Sequence, residues 1–205
     1  LANASQLRRL SALPETEGEI RTIAQTLGAK EGDLLLGPLA SETVIKQRDL
    51  KPYRIISFAT HGLVAGDAAP GAEPGLALTI PETPTRLDDG LLTPSEISSL
   101  QLNSDLVILS ACYMAASDGR PQAEGLSGLV RGFFSAGARG LLVSHWKVPS
   151  MPTVALTTGM VRIHEEGGDP SWAEAHRRAL VELISQKGRA AHPANWGAFV
   201  FVGAP

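Results

Sequence analysis

Four short, almost continuous apolar runs constrain this chain more than any other feature. They are RIISFA (Arg54–Ala59), LVIL (Leu106–Leu109), GLLVS (Gly140–Ser144) and GAFVFV (Gly197–Val202). Each is rich in branched or aromatic residues and is bounded by turn or polar residues. Runs this short, without polar alternation, suit strands buried on both faces. Such strands need a layer of helices on each side, and helical patterns lie between them. The expected fold is therefore α/β, a three-layer sandwich with a mostly parallel central sheet flanked by helices.

The helical segments are read from apolar spacing and end signals. A first helix is expected from Glu15 to Leu27, with Ile20, Ile23, Ala24 and Leu27 on one face and Gly28 as its stop. A second starts near Ser41. Two more fit Gly125–Gly137 and Met151–Glu166. A last one opens at Ser171, turns Ala175, Ala179, Leu180, Leu183 and Ile184 inward, and ends before Gly188. Thr16 with Glu19, Thr93 with Glu96, and Ser171 with Glu174 read as capping boxes. Pro94 follows Thr93, at the first helical position, where its missing donor costs nothing. Leu76–Ile80, the loop Pro81–Asp89, and Gly90–Leu92 read as an inserted hairpin or a loop beside the site.

Composition narrows the function classes. The 205 residues carry a formal net charge of −3, and no basic stripe interleaved with aromatics is present, so nucleic acid is not an expected partner. No apolar run is long enough to span a bilayer, and Leu1–Leu10 lacks the charged-then-apolar pattern of a secretory signal. The one cysteine, Cys112, cannot form an internal disulfide, and the expected compartment is the cytoplasm. The chain does not begin with Met and is expected to be a C-terminal piece of a longer protein, with 1–205 forming one domain. Asn3-Ala4-Ser5 fits a glycosylation sequon, read here as a chance match.

Two strands end in reactive side chains. RIISFATHG sets His61 just past one strand and before Gly62; LVILSAC sets Cys112 just past another. In open α/β sheets, ligands sit beyond the carboxyl ends of the strands. If these two strands are parallel neighbours, thiol and imidazole face one crevice, as nucleophilic catalysis requires. An imidazolium favours the thiolate, whose free thiol has a pKa of ~8.5. Cys112 then attacks a peptide carbonyl, and His61 protonates the departing amine. Gly62, lacking Cβ, lets a backbone N–H approach the developing charge; the amides of Gly62 and Cys112 are the expected oxyanion donors. No third residue stands out as an orienter, so a dyad is expected. Taken singly, each residue has an ordinary alternative, a small buried hydrophobe for Cys112 and a core hydrogen-bonding group for His61. They lie 51 residues apart, and a caspase histidine precedes its cysteine by about 50.

Weaker signals drop out. Gly125-Leu126-Ser127-Gly128 lacks the glycine two positions after the serine that a nucleophile elbow needs. No Walker loop is present. His164, His176 and His192 lack metal-ligand spacing with Cys112, so no metal or cofactor is expected. Trp146 reads as a wall of the site or as core packing.

Several blocks together resemble the CHAT domain, a caspase-like module often found after tetratricopeptide repeats and related to caspases and separases. They are IISFATHG (Ile55–Gly62), GLALT (Gly75–Thr79), DDGLLTPSEISSLQL (Asp88–Leu102) and LVILSAC (Leu106–Cys112), then EGLSGLVRGFFSAGARGLLVSHWKV (Glu124–Val148) and HPANWGAFVFVG (His192–Gly203). The resemblance covers nearly the whole chain, in order. It implies a caspase-like fold and a cysteine endopeptidase, in a bacterial cytosolic system, with His61 and Cys112 as the catalytic pair and a protein or peptide as substrate. It also implies gating by an upstream tetratricopeptide-type domain. The chain departs from the family pattern at Ser57, at Tyr113-Met114 and at His145. Related metacaspases carry an acid two positions before the cysteine. Ser110 stands there, so an uncharged or apolar P1 residue is expected. The alternative reading is a catalytically silent caspase-like interaction or scaffold module.

Overall fold

The computed structural model describes residues 2–110, 124–146, 148–168, 170–186 and 191–203, with backbone alone at 124–127 and 150. Its main sheet is made by β1 (Ile55–Phe58), β5 (Leu106–Leu109), β6 (Gly140–Ser144) and β7 (Phe199–Gly203), in the order β1-β5-β6-β7. The first three strands are parallel and β7 is antiparallel to β6. All of β5 and β6 is buried, which explains their uninterrupted apolar sequences: every side chain meets a helix layer.

Strand alternation sends neighbouring residues to opposite layers. Val107 and Leu109 face a core with Ile97, Leu129 and Phe133, from α4 (Pro94–Ile97) and α5 (Glu124–Ala136). Leu106 and Ile108 face a second core with Ile23, Leu156, Met160 and Ala179. These come from α2 (Pro14–Thr26), α6 (Ser150–Glu166) and α7 (Trp172–Ser185). The expected three-layer arrangement with a mostly parallel sheet is what the chain forms. The expected hairpin forms too, as β3 (Gly75–Ala77) and β4 (Leu91–Leu92), joined by β2 (Gly62–Leu63) into a second, antiparallel sheet in the order β2-β3-β4.

The helix ends test the capping readings. Thr93 caps α4 as expected: its hydroxyl accepts from Glu96 N–H while the Glu96 carboxylate accepts from Thr93 N–H at 2.9 Å. Thr16 does not cap. Pro14 starts α2 earlier, with Leu13 as the N-cap, so Thr16 lies in the first turn and its hydroxyl donates back to Leu13 O at 2.7 Å. That frees Glu19 to point inward. Ser171 does accept from Glu174 N–H, but the Glu174 carboxylate pairs with Arg177 and Arg178 instead of reaching back. Asn3 caps the short α1 (Ala4–Leu7) by accepting from Ser5 N–H. Gly137 closes α5 at φ 112°, where a Cβ would lie 2.3 Å from the Leu102 carbonyl oxygen, so only glycine fits.

Candidate functional site

The site is built at the carboxyl ends of β1 and β5. Their parallel register sets Ile55 opposite Leu106 and Phe58 opposite Leu109. Ser110 N–H extends the pairing by donating to Phe58 O at 2.9 Å. His61 follows Phe58 by three residues, and Cys112 follows Leu109 by three. Cys112, like Tyr113 and Met114, lies outside the described residues.

His61 is held by the second sheet. The Thr60 hydroxyl donates to Ala77 O, and Ala77 N–H donates to His61 O at 2.8 Å. Bonded and open pairs alternate along an antiparallel ladder. His61 and Ala77 form a bonded pair, so Gly62 opposite Leu76 is an open one, and the Gly62 amide points away from β3. The imidazole is half-buried, and its Nε2 lies 2.7 Å from the carbonyl oxygen of Ser11, between α1 and α2. A carbonyl only accepts, so Nε2 carries the proton and Nδ1 is the basic nitrogen of the neutral ring. The ring is thus oriented by a backbone group. A carbonyl has no side-chain signature, so an orienter of this kind is not legible in a sequence.

A cleft of about 560 Å³ runs along the outer edge of β1. Leu10, Leu13, Leu36, Ile56 and His61 are among its lining residues. Trp146 follows β6, on the other side of β5 from His61. It is 41% exposed, its indole N–H donates to Ala194 O at 3.0 Å, and its ring lies over Gly197. The structure does not bring Trp146 and His61 together along this cleft.

Ser110 is turned inward. It continues the alternation of Leu106 and Ile108 and so meets the α2–α6 layer, where its hydroxyl donates to Glu19 Oε1 at 2.5 Å. Thr157 Oγ1, on α6, is 2.9 Å from the same oxygen. Glu19 is only 2% exposed. Burial pushes its carboxyl above the usual range, and the contacts with Ser110 and Thr157 pull it partly back. Its sequence signal was an acid one turn before Ile23 on the apolar face of α2, masked by the capping-box reading. Among the described residues, no three His, Cys, Asp or Glu side chains gather as a metal site, and no helix is long and apolar enough to cross a membrane.

The profile of the CHAT domain matches residues 1–204. Tetratricopeptide repeat protein 28 of Mus musculus is 26% identical over 221 residues, which cover 93% of this chain and 8% of that protein. The protein of the same name from Homo sapiens gives the same figures. The chain spans a small part of the length of these relatives.

Proposed function

Given that this chain belongs to the CHAT domain family, we propose that it is a cysteine endopeptidase domain acting through Cys112 and His61. The observation that carries this reading is the parallel register of β1 and β5. It pairs Phe58 with Leu109, and each reactive residue follows its strand by the same three positions. The hydrogen bond from His61 Nε2 to Ser11 O supports it further, because it leaves Nδ1 as the ring nitrogen able to exchange a proton with a thiol.

The reaction has two halves. The Cys112 thiolate attacks the scissile carbonyl carbon, and the developing oxyanion is met by the amides of Gly62 and Cys112. The C–N bond breaks as the His61 imidazolium delivers a proton to the amine, leaving a thioester. His61 then takes a proton from water, the hydroxide oxygen attacks the thioester, and the acid product leaves with the thiolate restored. Throughout, the Ser11 carbonyl keeps Nε2–H in place. Substrates are proteins or peptides, taken at an uncharged or apolar P1 residue; the cleft beside His61 offers them an apolar wall that includes Leu10, Leu13, Leu36 and Ile56, while Ser110, turned inward, and Trp146, beyond β5, do not line it. The domain, residues 1–205, works in the cytoplasm under an upstream tetratricopeptide-type domain, the kind of repeat that the names of its relatives print.

Digestion of a peptide library tests this directly. The wild-type chain is expected to cut a defined set of sites, Cys112→Ala none, and His61→Ala at least about 100-fold more slowly. Equal cleavage by wild type and Cys112→Ala would overturn the proposal.

A further inference from the structure

The buried carboxyl of Glu19 sits against the segment that leads from β5 into the nucleophile. Its contacts join three elements: α2 supplies Glu19, the end of β5 supplies Ser110, and α6 supplies Thr157. Nothing about folding α2 onto α6 demands an acid here, since the neighbouring positions on that face, Ile23 and Leu156, are apolar and buried. Burying a carboxyl costs stability unless its hydrogen bonds compensate. Thr157 Oγ1 has one proton and three oxygen neighbours: Glu19 Oε1, Thr153 O at 3.0 Å and Val154 O at 3.2 Å. Ser110 and Thr157 both hydrogen-bond to Glu19 Oε1, and burial raises the pKa of the carboxyl they share. The result is a buried hydrogen-bonded link from Ser110, two positions before Cys112 in sequence, through Glu19 on α2 to Thr157 on α6.

We propose that Glu19 is a positioning residue for the nucleophile, acting by fixing Ser110, two positions before Cys112 in the sequence. This deepens the proposed function and rests on the Cys112–His61 reading. The group touches no substrate; it acts through Ser110. The absence of an acid at position 110 is then not a gap. A neutral hydroxyl is what a buried carboxyl from α2 needs as its donor.

The test follows the rate of Cys112 alkylation by iodoacetamide as a function of pH. The chain is compared with the same chain unfolded in urea, and with Glu19→Gln, Glu19→Leu and Ser110→Ala. Circular dichroism gives the folded fraction. The wild-type thiol is expected to react at least tenfold faster at pH 7 than the unfolded chain. Glu19→Leu and Ser110→Ala are each expected to lose most of that advantage per folded molecule and to move the midpoint of the pH profile upward. Glu19→Gln keeps a hydrogen-bonding group of the same shape and is expected to stay within about threefold of wild type. A purely structural Glu19 would change the folded fraction and leave rate and midpoint alone. Should Glu19→Leu fail to fold, Ser110→Ala decides. Folded variants that react at the wild-type rate, with the wild-type profile, overturn the role of Glu19 alone. A wild-type thiol no faster than the unfolded one overturns both this role and the peptidase reading.

Discussion

Glu42, fully buried at the first turn of α3 (Glu42–Gln47), shows how much one side chain organises here. Its Oε1 accepts from three successive amides, Asp89 N at 2.8 Å, Gly90 N at 2.7 Å and Leu91 N at 3.1 Å, while Oε2 meets Lys46 Nζ at 2.5 Å. Lys46 also reaches Glu96, the capping acid of α4. Glu42→Ala would strand buried backbone donors and leave Lys46 with Glu96 and the Leu87 carbonyl as its remaining partners, so a loss of about 3 kcal/mol is expected in urea unfolding. Glu42→Gln keeps a carbonyl acceptor for the amides and should cost less. At this scale the sequence is legible only where chemistry and position coincide. His61 stood out because a reactive residue follows a strand. Glu42, Glu19 and the Ser11 carbonyl did not, because their partners lie far away in sequence or belong to the backbone.

Elements differ in how clearly they announce themselves. The four apolar runs pointed to the main sheet because burial on both faces removes polar alternation. The two-residue strands β2 and β4 are too short to show a period, so only the hairpin of β3 and β4 was legible and the pairing of β2 was not. The capping signal was right at Thr93 and wrong at Thr16, where Pro14 moved the helix start forward. Thr93→Ala removes the acceptor for Glu96 N–H and breaks the reciprocal box, so it should lower stability by about 1 kcal/mol. Thr16→Ala removes only a donation to Leu13 O and should cost clearly less in the same unfolding measurement.

Across the whole molecule, two buried titratable groups on the α2–α6–α7 side set opposing dependences of stability on pH. His176, on α7, is 8% exposed, its Nε2 is buried without a hydrogen-bond partner, and burial holds its pKa below 6.5. The unfolded chain therefore binds its proton more readily, and this contribution to stability is lost as pH falls below 6.5. Glu19 has the opposite sign. Its folded pKa lies above 4.5, so the native state holds the extra proton and stability falls as pH rises from 4.5 through the folded value. Urea unfolding between pH 5 and pH 8 is expected to show that His176→Phe flattens the acid-side loss, while Glu19→Gln gains relative to wild type as pH rises. The layer order and sheet direction were legible from the alternation of strand and helix patterns. The pairing of Glu19 with Ser110 was not, because it joins residues 91 positions apart.

The proposed peptidase chemistry requires the His61 imidazole, just past β1, to reach the Cys112 thiol. Because Cys112 is the one cysteine in the chain, its thiolate absorbance near 240 nm can be followed without interference from a second thiol, with Cys112→Ala as the blank. Thiolate is expected at pH 6 in the wild-type chain, well below the ~8.5 of a free thiol, and is expected to disappear at that pH in His61→Ala. Wild type and His61→Ala titrating together near ~8.5 would contradict that chemistry.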